Sequence, residues 1–201
     1  PFDRHSDIYE TDLNGRIVRK LTDEPGYGAE GAWSADGKLI AYCHDDGTLE
    51  KPDPNIWLMN ADGSDKRQLT DAPGYDGGPF ISPDGKWIVF RSDREEEHHL
   101  QIYDKVSVHW GPYWHPSKPY IIWSGADHSN PRGRPNYDLW MTKYEVKDGK
   151  FTTVGPRYRV TDHPGADVLP VFSPDGKKLM WTSTRTDDHT SQLWIADFTL
   201  P

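Results

Sequence analysis

The chain has 201 residues, of which 34% are apolar, and it contains nine Trp and ten Tyr. The net charge of −9 disfavours a nucleic-acid partner held by phosphate contacts, and no apolar run approaches the roughly 18 residues of a membrane-spanning helix. A single cysteine, Cys43, excludes an internal disulfide and a Cys-x-x-Cys redox pair. Few apolar residues combined with many aromatic ones are typical of short strands joined by turns, so an all-β protein is predicted.

The sequence repeats itself. Residues 7–27 recur as residues 55–75 without a gap, and both copies contain an Asx-Gly pair followed by Leu-Thr-Asp-x-Pro-Gly. A second segment, Ser-x-Asp-Gly-Lys followed by an apolar run, occurs at 34–42, 82–90 and 173–181, with a degenerate copy at 114–123. Aligned copies with a period of 40–50 residues predict the blades of a β-propeller.

Each repeat is predicted to form four strands, A to D. Strand A ends at the Ser-x-Asp-Gly-Lys turn, and strand B is the apolar run after it. Strand C is the Ile-Tyr or Ile-Trp run that ends at an Asx-Gly hairpin turn, and strand D ends in Leu-Thr. The chain begins in a strand C at residues 6–10 and ends after a strand C at 192–197. Four aromatic residues of strand B are predicted to be equivalent core residues: Tyr42, Phe90, Trp123 and Trp181.

These repeats resemble the blades of TolB-like propellers. The resemblance covers essentially the whole chain and is carried by Ser82-Pro-Asp-Gly-Lys86, by residues 56–78 and by a Ser/Thr-x-Arg sequence after strand B. It implies an all-β propeller of four-stranded blades, six in the complete protein, facing the periplasm or the cell exterior. Residues 1–201 are therefore assigned to one TolB-like propeller domain with partial blades at both ends.

One repeat is shorter than the others. From the first apolar residue of strand C to the end of the next strand A there are 25 residues between Ile8 and Trp33, but only 12 between Ile102 and Trp114. The difference corresponds to an Asx-Gly turn and a strand D. We therefore expect about 13 residues to be missing near Asp104-Lys105, and the parent protein to be longer.

Blade topology places the loops on two faces. The A–B and C–D turns are short and repetitive, whereas the B–C and D–A loops vary in length, and variable loops on a rigid scaffold usually carry binding. Eight of the nine histidines fall on the variable face, and only His115 lies in an A–B turn. Two interpretations remain open: a partner or metal surface sensitive to pH, or the ordinary preference of His for exposed loops. The predicted partner-binding residues are His44, Asp45, His98, His99, His128, Arg132, Arg134 and His189.

A candidate metal site comes from the alignment of strand A. The alignment places Gly28, Asp76, His109 and Asp167 at one level, with Glu30 two residues further along its strand. Strand A lines the central channel of a propeller, so Asp76, His109, Asp167 and Glu30 could ring the channel mouth and hold a divalent cation. The alternative is a solvated polar rim or capping of the D–A turns.

Sequence motifs of catalysis are missing. Residues 26–31 satisfy G-x-G-x-x-G but lead into a strand, and there is no G-x-S-x-G elbow, no H-E-x-x-H and no P-loop. Cys43 has no matched base that would make it a nucleophile. The charged segment Glu95–His99 is interpreted as a solvated loop.

The favoured function is therefore a non-enzymatic, extracytoplasmic scaffold that binds a protein, as a subunit of a larger assembly. Whether the protein is an enzyme stays open. The alternatives are a metal-dependent polysaccharide lyase or hydrolase and the regulatory propeller of a prolyl-oligopeptidase-like enzyme. No cofactor is expected except the divalent metal of the channel-mouth site.

Overall fold

The computed structural model describes residues 5–47, 52–92, 107–127 and 136–201. All regular secondary structure in these ranges is β-strand. The chain divides into two compact units, 1–95 and 96–201. The described residues contain no helix of the length and apolarity that crossing a bilayer requires.

The described residues of the first unit form three antiparallel sheets in sequential order. The strands pair as β1-β2, as β3-β4-β5-β6 and as β7-β8, so that β3 to β6 form one blade with strands A, B, C and D. The strands are β1 (Tyr9–Thr11), β2 (Ile17–Lys20), β3 (Tyr27–Trp33), β4 (Leu39–Asp45), β5 (Asn55–Asn60), β6 (Arg67–Gln68), β7 (Asp76–Ile81) and β8 (Ile88–Ser92).

The second unit contains one four-stranded and one three-stranded sheet. Strands β9 to β12 form a second complete blade, and β13, β14 and β15 supply strands A, B and C of another. The strands are β9 (Ser107–Trp114), β10 (Tyr120–Asp127), β11 (Asp138–Lys147), β12 (Lys150–Arg159), β13 (Asp167–Phe172), β14 (Lys178–Ser183) and β15 (Gln192–Asp197). The predicted break near Asp104-Lys105 lies outside the described residues.

The first predicted strand begins later than expected. It was expected from residue 6, but β1 begins at Tyr9. The reason is that residues 6–8 bind other segments: Ser6 forms a parallel bridge with Tyr27, and the N–H of Ile8 donates to the Thr22 hydroxyl.

The Ser-x-Asp-Gly-Lys turns share one hydrogen-bond pattern. In each, the Ser hydroxyl donates to the Asp two residues later and accepts the N–H of the residue five positions on, as in Ser173 with Asp175 (2.6 Å) and Lys178 (2.9 Å). Gly176 has a φ of +70°, which an L side chain rarely adopts. The same bonds occur in the turns at Ser34 and Ser82.

Every strand A contains a bulge at the same place. In each strand A the pairing with strand B shifts register at one residue that has a left-handed backbone conformation. These residues, with φ between 57° and 61°, are Glu30, Gly78, Gly111 and Leu169. A bulge with a left-handed residue favours glycine, yet two of the four positions carry a side chain. The fold therefore imposes this geometry whatever residue occupies the position.

The C–D hairpin of the second unit is longer than the repeat predicts. Its turn, Asp148-Gly149, is short as expected, but 21 residues separate Leu139 from Val160, against 13 between Ile56 and Leu69. Tyr144 and Phe151 stack in this hairpin with ring centroids 4.5 Å apart, and Trp114 packs edge-on against both rings. Length variation is thus not confined to the B–C and D–A loops.

Three of the four strand-B aromatics form the interior as predicted. Tyr42 and Trp123 each expose 1% of their surface and Trp181 exposes 6%, which confirms their core position. Phe90 is only half-buried. In the second unit Trp181 packs with Ile122, Leu139 and other apolar side chains in one cluster.

In the degenerate turn, His115 accepts backbone N–H groups, as the Ser and Asp side chains do in the other turns. Its Nδ1 accepts the N–H groups of Ser117 (3.3 Å) and Lys118 (3.2 Å), and its ring lies 4.8 Å from that of Phe172. Only 5% of His115 is exposed, and this burial lowers its pKa below the ordinary value of 6.5. The turn therefore needs the neutral imidazole.

Replacing Trp181 by Ala should lower the free energy of unfolding by about 3–5 kcal/mol, because the site is a packed interior. Phe90→Ala is the matched comparison and should lose a smaller amount, about 1–2 kcal/mol, since that ring is half-buried. Urea unfolding followed by far-UV circular dichroism measures both losses. Equal losses would contradict the burial difference.

The neutral His115 should make stability depend on pH. Because its folded pKa is lowered, the stabilisation is complete above pH 6.5 and is lost as the pH falls through the folded pKa. The double variant His115→Ser, Ser117→Asp removes the imidazole, places the Ser and Asp of the other repeats at these positions, and should lack this part of the profile. Denaturant unfolding of both proteins between pH 7.5 and 5 tests this, and parallel profiles would refute it.

Candidate functional site

The start of strand A has the register that the alignment predicts. Four residues pair with equivalent positions of strand B: Gly28 with His44, Asp76 with Ser92, His109 with Gly125, and Asp167 with Ser183. The first unit contains Gly28, Glu30 and Asp76, and the second contains His109 and Asp167. The chemistry of each half follows from its own neighbours.

Asp167 is a buried acceptor whose two oxygens both have partners. It is 0% exposed, and its Oδ1 accepts the indole N–H of Trp181 at 3.0 Å. Arg185 donates to Oδ1 at 2.9 Å and to Oδ2 at 2.8 Å. Burial acts to raise the pKa of Asp167, but hydrogen bonds from Ser183, Arg185, Thr161 and Trp181 outweigh it and hold the pKa below its ordinary value. Asp167 is therefore an ionised structural anchor.

His109 repeats this arrangement in the preceding blade. Its Nδ1 accepts the indole N–H of Trp123 at 3.0 Å, and the two rings meet edge to face. In both blades the polar residue of strand A and the Trp of strand B are 14 positions apart. A buried indole needs an acceptor, which supplies the reason for these two residues. The sequence signal was available: the aligned strand-B residue is Trp in both blades.

In the first unit, Glu30 joins two neighbouring strands A. Its carboxylate accepts the N–H of Gly78 at 2.6 Å and the hydroxyl of Tyr75 at 3.1–3.2 Å. Glu30 itself is exposed, whereas Asp76 is 1% exposed and its carbonyl accepts the Cys43 thiol at 3.3 Å. Burial raises the pKa of Cys43 to about 12, so this thiol stays protonated at neutral pH.

The predicted metal site is split between the two units. Within the ranges that the structure describes, no three His, Cys, Asp or Glu side chains form a group that could hold a metal ion. In the second unit, Asp167 and His109 already accept hydrogen bonds from Trp181 and Trp123. A divalent metal bound by Glu30, Asp76, His109 and Asp167 remains a prediction.

Of the predicted partner-binding residues that the structure describes, one is exposed. His44 and Asp45 are each 8% exposed; His44 packs edge-on against Trp57, and Asp45 accepts the N–H groups of Gly47 and Asp53. His189 is exposed and left-handed, with a φ of 53°. The remaining five lie outside the described residues: His98, His99, His128, Arg132 and Arg134.

The sequence analysis missed an ion pair between a buried carboxylate and a half-exposed arginine at the start of strand C. Oδ2 of Asp138 accepts Nε (3.1 Å) and a terminal nitrogen (2.6 Å) of Arg159, and Asp138 is 5% exposed. Burial raises the pKa of Asp138, and Arg159 acts against that rise. The equivalent pair in the first unit is Asp7 with Lys20 at 2.8 Å. The sequence signal for this pair was an Asp at the start of strand C together with a Lys or Arg near the end of strand D of the same repeat.

No protein-family model matches the sequence, and no curated protein matches it. Among solved structures, the chain is similar to TolB from Acinetobacter baumannii at 21% identity and a TM-score of 0.60, covering 95% of this chain and 46% of that chain. It is also similar to the tricorn protease at 14% identity and a TM-score of 0.51, covering 83% of this chain and 16% of that one. The chain thus spans less than half of either structure. These likenesses confirm the expected all-β fold of a TolB-like propeller.

Replacing Asp167 by Ala should lower the free energy of unfolding by about 3–5 kcal/mol, because it leaves a guanidinium and a buried indole without their acceptor. Asp187→Ala, in the exposed loop of the same blade, is the control and should change it by about 0.5 kcal/mol or less. Urea unfolding at pH 7 measures both. An Asp167 variant as stable as the control would show that the ion pair is not structural.

Proposed function

We propose that this protein is a non-enzymatic propeller that binds a protein partner outside the cytoplasm, through the face of the B–C and D–A loops. The TolB-like fold supports a binding scaffold. The periplasmic or extracellular location, and membership of a larger assembly, are part of the proposal and come from the family resemblance. Fold likeness alone does not assign a partner, since one propeller fold serves many functions.

The observation that carries the proposal is the state of the β14–β15 loop. It is exposed from Asp187 to Thr190, yet it is organised by its own hydrogen bonds. The N–H of His189 donates to the Thr186 carbonyl at 2.8 Å, and Asp188 accepts both the N–H (3.1 Å) and the hydroxyl (2.9 Å) of Thr190. A loop that is ordered before binding loses less conformational entropy when a partner docks. This loop therefore holds the His189 backbone in place and presents its exposed side chain at the surface.

The scaffold residues behind the loop support the same interpretation. Arg185 at the start of the loop is held by Asp167, and its guanidinium lies 5.3 Å from the ring centre of Trp181 and 5.1 Å from that of Trp194. Through this cation–π and ion-pair contact the loop is attached to the blade interior. Asp167 of strand A thus positions the β14–β15 loop by binding Arg185.

A photo-crosslinking amino acid at position 189 tests the proposal. In a periplasmic extract of the source organism, we expect a discrete crosslinked protein from this position. The same amino acid at Lys86, which is exposed in an A–B turn, is the control and should give none. Equal products from both positions, or none from position 189, would contradict a binding face formed by the loops.

Elemental analysis separates the proposal from the lyase or hydrolase alternative. A binding scaffold should carry no stoichiometric divalent metal after dialysis without chelator. A tightly bound metal that is lost on replacing Glu30 by Gln would promote the enzyme hypothesis. Glu30 suits this test because it is exposed and its replacement removes no buried charge.

A further inference from the structure

The first C–D hairpin turns at an exposed Asn-Gly pair between β1 and β2. Gly15 donates its N–H to the Asp12 carbonyl at 3.0 Å and has a φ of +79°, so glycine takes the left-handed position of the turn. Asn14 is exposed, and a Cβ placed on Gly15 would meet no atom within 4 Å. The turn geometry therefore requires Gly15 but does not require an amide side chain at position 14.

The equivalent turn of the next repeat carries an aspartate in place of Asn14. There Gly63 has a φ of +85°, so the backbone turns in the same way. The Asp62 carboxylate accepts the N–H of Ser64 at 3.0 Å and its hydroxyl at 2.6 Å. An aspartate at this position of the turn is therefore compatible with the fold and forms hydrogen bonds of its own.

The other three asparagines in the described ranges have side-chain amides that donate hydrogen bonds. The amides and their acceptors are Asn55 with the Asp53 carbonyl, Asn60 with the Ser64 hydroxyl and Asn136 with the His163 carbonyl. None of these three asparagines precedes a glycine. The side-chain amide of Asn14 bonds to no residue that the structure describes, since its one hydrogen bond there is made by the backbone N–H. Asn14 thus differs from them both in its neighbour and in its unrestrained amide.

We infer that Asn14 is a site of deamidation in the folded protein. The Gly15 nitrogen, on losing its proton, bonds to Cγ of Asn14, the Cγ–Nδ2 bond breaks, and ammonia leaves with that proton. Water then opens the cyclic imide: addition at Cγ gives Asp, and addition at the main-chain carbonyl gives isoaspartate. Glycine favours the ring closure, because it has no Cβ to obstruct the approach and reaches backbone angles that other residues rarely adopt.

This inference goes beyond the proposed function, because it concerns a C–D turn and not the loop face. The reaction needs only water as a co-reactant. It converts a neutral side chain into a carboxylate, and the Asp product matches the residue that the next repeat has at this position. The isoaspartate product instead adds a methylene to the backbone of the turn, which the hydrogen bonds of the turn do not fit.

Asp12 restrains the reaction by holding the backbone of the turn. Ring closure requires the peptide unit between Asn14 and Gly15 to rotate toward the Asn14 side chain. The Asp12 carbonyl accepts the N–H of that unit, and Asp12 Oδ1 accepts the N–H groups of Asn14 at 2.9 Å and Arg16 at 3.0 Å. These bonds are exposed to solvent, so the turn opens locally without unfolding the sheet. Asp12 is therefore a positioning residue that sets the rate of deamidation.

Incubation of the folded protein in mildly alkaline buffer, followed by peptide mapping with mass spectrometry, tests the inference. We expect conversion of Asn14 to Asp and isoaspartate, while Asn55 and Asn60 stay unchanged in the same digest. A synthetic peptide of residues 9–17 should convert faster than the folded protein, because nothing holds its Gly15 N–H. Conversion of the peptide without any conversion of Asn14 in the protein, or equal conversion of Asn14 and Asn60, would overturn the inference.

Protein variants separate the role of Asp12 from that of the Asn-Gly pair. Asp12→Ala removes the side-chain acceptor and should raise the rate of conversion about fivefold, which corresponds to about 1 kcal/mol. Asp12→Asn keeps an acceptor oxygen and should convert at the rate of the unmodified protein. Asn14→Gln should not convert in the same time, because its ring closure forms a larger and less favourable ring. Circular dichroism should show all three variants folded, and equal rates in the two Asp12 variants would refute the restraint by Asp12.

Discussion

One threonine hydroxyl per repeat holds the fourth strand on the third, since it accepts the N–H of the first apolar residue of strand C. This bond contributes most to holding β6 in place, because β6 has only two residues and forms few backbone hydrogen bonds with β5. The Asp-x-Pro-Gly that follows then leads directly into the next strand A. At that entry an N–H of strand A donates to the carbonyl just before strand C: Gly28 to Ser6, Asp76 to Pro54, and Asp167 to Tyr137. The same short motif therefore completes one sheet and attaches the next.

The pairing of strand A with strand B determines where the polar residues of strand A lie. In two blades the start of strand A lies beside the end of strand B, where a Trp side chain donates its indole N–H. His109 and Asp167 accept those N–H groups, so their chemistry is structural in the first place. A bulge lies two residues after the start of each strand A, where Glu30 and Leu169 adopt a left-handed conformation. Residues that look like ligands in an alignment can thus be requirements of the repeat.

The candidate binding loop lies where the repeat is interrupted. The β14–β15 loop departs from the repeat and forms its own hydrogen bonds around His189, while its base is anchored by Arg185 on Asp167. This exposed loop has a backbone that is already ordered, which lowers the entropy lost on association.

The sequence alone determined the all-β repeat, the order of strands A to D, the turn positions and the burial of Tyr42, Trp123 and Trp181. These follow from local chemistry, since Gly, Asp and Pro define turns and an aligned aromatic marks the same interior position in every copy. Only the tertiary structure decided that His44 and Asp45 are buried and that Asp167 pairs with Trp181 and Arg185. Each of these depends on which distant strand lies alongside, and a repeat alignment compares positions without saying what covers them. Burial and hydrogen-bond partners depend on those neighbouring strands. The position of the candidate site could therefore be predicted from the sequence, whereas its chemistry could not.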